Sequence, residues 1–500
     1  MVNVENIIRI IRNQLGLEVY NFDTTYYTKY MDLMWQWYKG KGPASFHSYT
    51  DTNGVTKITK TRSHLNMAKR VCEDQAGIAV NNNLVININD EKVKKFLLGQ
   101  EEVNGYLGSK FYTRVNSLYE LVCALGTGAT ELSLDKLELV ENKVLANSDK
   151  VELKLIYHNG FEIIPLTWDE NKDIKSVAFV NVSKELIRGK VYNKIYLTIH
   201  YLFDTGYRIY NKTLIDNNGT YNIVPNADNV VDVIETGSTI PMFSILKLNN
   251  INNYDLFSPY GASIFANALD ALESADVGFT LFRSELDLSE KKVAADKGIL
   301  PVDENGNQIM KFTELPNMFY VGDGQTLADG GLRIPFQEFN PEIRIEPITK
   351  AIQTSLNLIS STCGLGNNYY KFDNGTVKTA TEVISENSAC YRNICRNEMA
   401  IEDYLRNLLK SIIHYINYFK GLEGKNKLNE DFNISIDFDT SIIEDKAVSR
   451  ERDLKEVEIG TMTVEEFREK WYGIPRTSEN TSFIKEVKTE EKTDDTSNEN

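Results

Sequence analysis

Two carboxylates on one strand face are the residues here that most invite chemistry. In 432–439, FNISIDFD, apolar and polar residues alternate, so Asp437 and Asp439 share a face. With Asp445 and Glu444 following, they could hold magnesium for a metal-dependent nuclease. No third carboxylate is placed by the sequence, and solvated strand-end carboxylates are the plainer reading. The five cysteines stand at 72, 123, 363, 390 and 395, with no Cys-x-x-Cys. An odd count argues against a disulfide framework, and the cysteines read as buried, apolar thiols. The five histidines (47, 64, 158, 200 and 414) show no metal-ligand spacing, so no metal site is expected. A phosphate cradle needs a glycine-rich loop ending in Gly-Lys-Ser/Thr. GTGAT at 126–130 lacks the lysine, and GDG at 322–324 opens no helix. There is no His-Glu-x-x-His and no Gly-x-Ser-x-Gly. Catalytic residues, cofactors and metals are therefore all expected to be none.

One loop offers contact chemistry instead of catalysis. Residues 364–377, GLGNNYYKFDNGTV, combine three glycines with Asn367, Tyr369, Tyr370, Lys371 and Asn374, and Lys378 follows. Aromatic rings can stack on nucleic acid and lysines can meet phosphate. The alternatives are a surface loop with satisfied tyrosines or a loop buried between subunits.

The elements that must position these residues come from patterning. The 500 residues carry 42% hydrophobic and 25% charged side chains, the balance of a folded globular chain. That length suggests two to four structural units. No apolar run reaches the roughly 18 residues of a membrane span. The N-terminus, MVNVENIIRIIRNQLG, reads as an amphipathic helix and not a signal peptide, which suggests a cytoplasmic origin. The net charge of −16 argues against tight, sequence-reading DNA binding. It remains compatible with DNA that must slide past without sticking.

Residues 1–40, 61–80 and 92–135 read as mostly helical, and LVININ at 84–89 as a strand. Residues 137–225 read as antiparallel β structure, with Asn159-Gly160 and Asn218-Gly219 as turns. Phe265, Ala268, Leu272, Ala275, Phe279, Phe282 and Leu286 recur at alternating spacings of 3 and 4. That is the seam of a helix packed against another helix. Residues 288–340 are rich in glycine and proline and read as a turn-rich insertion. Ile345, Ile348, Ile352, Leu356 and Ile359 then mark a second helix, closed at Cys363-Gly364. A very long helix is expected from about 378 to 420, short charged helices over 441–485, and a solvated tail beyond. The fold class is α+β, predominantly helical.

This order resembles the portal proteins of tailed bacteriophages, the siphophage type from Gram-positive hosts in particular. Four stretches carry the resemblance: AKRVCEDQAGIAVNN at 68–82, SPYGASIFANALDALESADVGFTLFRSEL at 258–286, KTATEVISENSACYR at 378–392 and DFDTSIIEDKAVSRERDLKEVEIGTMTVEEFREKWYGI at 437–474. The resemblance implies a ring of subunits, a dodecamer, with wing, stem, clip and crown. It divides the chain into a wing over 1–257, a first stem helix at 258–287 and a clip at 288–340. A second stem helix at 341–363, a tunnel loop at 364–377 and a long wing helix and strand at 378–439 follow. The crown would span 440–485 and an acidic tail 486–500. Asn367, Tyr369, Tyr370, Lys371, Asn374 and Lys378 would face DNA. Phe265, Leu272, Phe279, Phe282 and Leu286 would form stem contacts between copies. The implied partners are double-stranded DNA, the large terminase, a head–tail connector, the scaffold and the major capsid protein, with no membrane. The implied location is the portal vertex of the virion, after assembly in the host cytoplasm.

Overall fold

The computed structural model describes residues 3–472, except 54–55, 82–83, 101–102, 136–138, 141–142, 145–150, 188–189, 218–219, 227–229, 290–291, 297–317, 322–335, 340–341, 372–379 and 439–445. Helix accounts for 46% and strand for 25%, so the class is mixed with helix in the majority.

The N-terminal helix α1 (Val4–Gln14) forms because Val4, Ile7, Ile8, Ile10 and Ile11 share a buried face and the Asn3 side chain caps its first turn. Residues 15–23 are not helical, contrary to the expectation for 1–40. Arg12 instead reaches back to the Val19 carbonyl and the Asn21 side chain. A π-helical turn (Tyr26–Tyr30) leads into α2 (Met31–Tyr38). The short α3 (Ala44–His47) opens a hairpin whose strands are Ser48–Asn53 and Thr56–Thr61. Next come α4 (Met67–Ala79), α5 (Glu91–Leu98) and α6 (Phe111–Leu125).

Residues 127–135 depart from expectation. They form a strand, not the end of a helical stretch, because Gly126 at φ +85 ends α6. This strand pairs antiparallel with Glu152–Asn159 on one side and Phe243–Lys247 on the other. Beside it lies a six-stranded antiparallel sheet. Its order along the chain is Ile163–Trp168, Ile174–Ile187, Lys190–Phe203, Gly206–Asn217 and Thr220–Val224, with Val233–Glu235 on the fourth strand. Alternation sets the register: Ile195, Leu197 and Ile199 are buried while Tyr196 is exposed. Asn159-Gly160 is a capped 3-10 turn and not a hairpin turn, since the Asn159 side chain binds the Phe161 amide and Glu162 binds the Asn159 amide. The strand Val85–Ile88 finds its partner far along the chain, at Ile434–Asp437.

The heptad-bearing helix starts later than its spacing suggests. A 3-10 turn (Ala266–Ala268) precedes α7 (Leu269–Leu288), and residues 261–265 are not helical. Gly261 lies so close to Gly126 that a Cβ would stand 2.3 Å from the Gly126 oxygen, and its amide donates to Thr127 Oγ1. Ser263 and Ile264 both bond the Cys123 carbonyl at the end of α6. Within 288–340 the described backbone holds a three-stranded sheet. Lys292–Asp296 pairs parallel with Met318–Val321 and antiparallel with Phe336–Phe339.

Helix α8 (Ile345–Thr362) packs along α7, followed by α9 (Ala380–Phe419), a single 40-residue helix. Its later half, with Ile401, Leu405, Leu408, Ile412 and Ile416, runs through the main core. Helices α10 (Lys446–Ile459) and α11 (Val464–Tyr472) follow. Among the described residues no helix is long and apolar enough to cross a membrane.

Candidate nucleic-acid interface and helical seam

The loop that follows α8 is built from its base upward. The Cys363 amide bonds Ile359 and Ser361, and the Leu365 amide returns to Ser360, which closes the helix. Gly364 at φ +75 makes this turn possible, and a Cβ there would stand 2.4 Å from the Asn393 side chain. Leu365 is buried and acts as a plug beneath the loop. Helix α4 then ties the loop down. Gln75 Nε2 donates to the Cys363 carbonyl at 3.0 Å. The Tyr370 hydroxyl donates to Asp74 Oδ2 at 2.9 Å, and Gln353 Nε2 donates to the Tyr370 carbonyl at 2.6 Å.

The two adjacent tyrosines therefore differ. Tyr370 is half-buried, and burial followed by the neighbouring Asp74 raises its hydroxyl pKa far above the usual value. Tyr369 is 41% exposed and meets the Tyr370 ring edge-on with centroids 5.0 Å apart. Asn367 and Lys371 are exposed. Asn374 and Lys378 lie outside the described residues, as do Glu444, Asp439 and Asp445 of the magnesium alternative. Asp437 is on a strand as expected, accepting a hydrogen bond from Asn87 Nδ2 at 2.7 Å.

The helical seam splits into two parts. Phe265, Ala268, Leu272 and Ala275 are buried within their own chain. Their partners include the core and helix α8. Gly278 is what allows the two helices to approach, because a Cβ there would lie 2.8 Å from Ile352 Cγ1. Beyond Gly278 the seam opens. Phe279 and Phe282 are partly exposed and Leu286 is 41% exposed. Leu281 on α7 and Ile345 and Leu358 on α8 add further exposed apolar surface. At the far end Arg344 grips Glu285 through Nε at 3.1 Å and Nη2 at 2.9 Å, which joins the end of α7 to the start of α8.

Two histidine clusters were not legible from spacing. His158 Nε2 and His200 Nε2 stand 2.8 Å and 3.1 Å from the two oxygens of Glu131, and all three residues are buried between the sheets. Burial works against ionising this pair, but the hydrogen bonds outweigh it. They hold the Glu131 carboxyl well below its usual range and push His158 up to about 9. The second cluster joins His47, His64 and Asp276, whose possible ligand atoms lie within 4.8 Å of one another although their sequence positions show no ligand spacing. Their positions are separated by up to 229 residues of chain, which spacing rules cannot bridge.

Comparison with known proteins supplies a family. Residues 19–496 match the family described as "Phage portal protein, SPP1 Gp6-like". No curated relative matches the chain. Among solved structures it is similar to a chain of the "Neck of empty GTA particle computed with C6 symmetry", at 12% identity and a TM-score of 0.37, covering 82% of this chain and 90% of that one. The "Neck of native GTA particle computed with C12 symmetry" contains a chain with the same identity, coverage and score.

Proposed function

The chain belongs to the SPP1 Gp6-like phage portal family, and from that premise we propose that it forms a closed ring, a dodecamer, at one vertex of a phage head. DNA enters through this ring during packaging and leaves through it on ejection. Membership supports a DNA-channel role in a phage-like system and places the chain among structural proteins, so it is not an enzyme. The apolar surface on the helix pair carries the ring reading: among the described residues, Leu281 and Leu286 on α7 and Ile345 and Leu358 on α8 are exposed, and Phe279 and Phe282 are partly exposed beside them. Head-to-tail contacts between identical copies cover such a surface when the rotation closes.

In this reading α7 and α8 are the stem, residues 288–340 the clip, α10 and α11 part of the crown, and the remaining body the wing. The clip receives the large terminase during filling and the head–tail connector afterwards. The scaffold and the major capsid protein meet the wing and crown. The loop after α8 faces the channel, with Tyr370 as its anchor and Asn367, Tyr369 and Lys371 as its exposed contacts, followed by Asn374 and Lys378. Among the described residues of the loop, Lys371 is exposed and adds a lysine side chain in each copy of an acidic protein. Such contacts meet the DNA backbone without reading sequence.

Light scattering on the purified chain tests this reading. A mass many times 57.0 kDa supports the ring. A monomer at assembly concentrations, with Phe279→Asp behaving identically, opposes it.

A further inference from the structure

We propose that His47, His64 and Asp276 form a binding site for a divalent transition-metal cation, zinc by preference, which fastens the N-terminal hairpin to helix α7. His47 ends α3 immediately before the hairpin, and His64 lies just after its second strand. Asp276 lies in the middle of α7. The three ligand atoms sit within 4.8 Å of one another. His47 Nε2 is 2.9 Å and His64 Nδ1 3.5 Å from the same oxygen, Asp276 Oδ2.

Zinc bonds of roughly 2.0–2.2 Å set tetrahedral ligand atoms about 3.3–3.5 Å apart. The His64 distance to Oδ2 falls within that range and the His47 distance is shorter, so a cation among the three atoms needs the His47–Asp276 pair to spread by about 0.4–0.6 Å. The carboxylate is already oriented for one-oxygen ligation. Its other oxygen, Oδ1, accepts the Leu65 amide at 2.9 Å, which leaves Oδ2 for the metal. Two imidazoles and one carboxylate oxygen suit zinc and its neighbours. Calcium and magnesium require more oxygen ligands than this cluster offers.

The surroundings hold the ligands in place. The His47 side chain is 3% exposed and the Asp276 side chain 6%. Phe46 and Trp37 meet the His47 ring at 4.7 Å and 5.2 Å, and Gly42 admits it, since a Cβ there would fall 1.9 Å from the imidazole. The His64 side chain is 22% exposed and supplies the entry path. Thr280 and Arg283, one and two turns beyond Asp276, bond the Ser63 amide and hydroxyl, which fixes the strand exit on the same helix. The His47 Nδ1 atom is buried without a hydrogen-bond partner, so His47 and Asp276 do not form a fully satisfied network by themselves.

The test uses the full chain after chelator treatment, titrated with zinc chloride by calorimetry and followed by thermal unfolding. One zinc per chain and a raised Tm are expected. His64→Ala, on the more exposed ring, should weaken zinc binding at least about tenfold, the lower end of what even outer-sphere losses cost, and abolish the Tm rise. Asp276→Asn should do the same, whereas His414→Ala, which removes a histidine paired with Glu430 elsewhere, should bind zinc normally. Cobalt(II) should give weak visible bands from nitrogen and oxygen ligands. No zinc binding, equal binding by His64→Ala, or intense thiolate bands with cobalt would each overturn the assignment.

Discussion

Replacing Glu131 separates hydrogen-bond satisfaction from simple volume. In the native chain this carboxylate accepts from His158 and His200 at 2.8 Å and 3.1 Å, with all three residues at most 2% exposed. Glu131→Leu removes both acceptors and leaves two buried ring nitrogens without partners. Each such loss costs about 1–3 kcal/mol, so the variant should lose about 2–6 kcal/mol. Glu131→Gln keeps the shape, and its amide can accept from one imidazole and donate to the other once His158 is neutral. Its expected loss is about 2 kcal/mol or less. Urea denaturation followed by far-UV circular dichroism gives both midpoints, with the slope m checking that the unfolding transition is unchanged. The pH dependence follows from the raised His158 pKa. Wild type should exceed Glu131→Gln most at pH values below the ordinary histidine value of 6.5 but above the ordinary glutamate value of 4.5. That excess should fall as the pH rises through about 9 and, separately, as Glu131 is protonated in acid. Equal midpoints for wild type and Glu131→Leu, or equal losses in the two variants, would refute the reasoning.

Three further outcomes are expected. Phe279→Asp puts a charge on the open half of the seam and should disperse rings into smaller species in size-exclusion chromatography with light scattering, while circular dichroism stays native. Tyr369→Ala with Lys371→Ala should leave ring mass unchanged and alter the length or retention of packaged DNA; loss of rings would instead make the loop an assembly element. Gly364→Ala forces a side chain onto a backbone at φ +75 and against Asn393, so it should lower stability by at least about 1–2 kcal/mol, read as a lower Tm.

Much of the architecture is written in local pattern. The alternation of residues 174–217 specifies long antiparallel strands, and the isoleucine and leucine periodicity after residue 394 specifies a single helix carrying the core. Local pattern fails where a distant backbone decides. Heptad spacing carries the helical seam back to Phe265, but residues 261–265 are not helical, where Gly261 packs closely on Gly126. Nor can spacing tell which half of the seam is buried at home, because that depends on α8 and the Gly278–Ile352 approach. Tyr369 and Tyr370 are indistinguishable in sequence, and only Asp74 of α4, 296 residues away, separates an anchor from an exposed ring. The histidine clusters are hidden for the same reason, since their members come from different elements.

Electron microscopy of the purified, full-length chain tests the central claim most directly. The account predicts closed rings of uniform diameter with a central hole, twelvefold in end-on class averages, with the paired helices α7 and α8 packed against those of the neighbouring copy. Monodisperse single chains without a hole, or open filaments that never close, would contradict it.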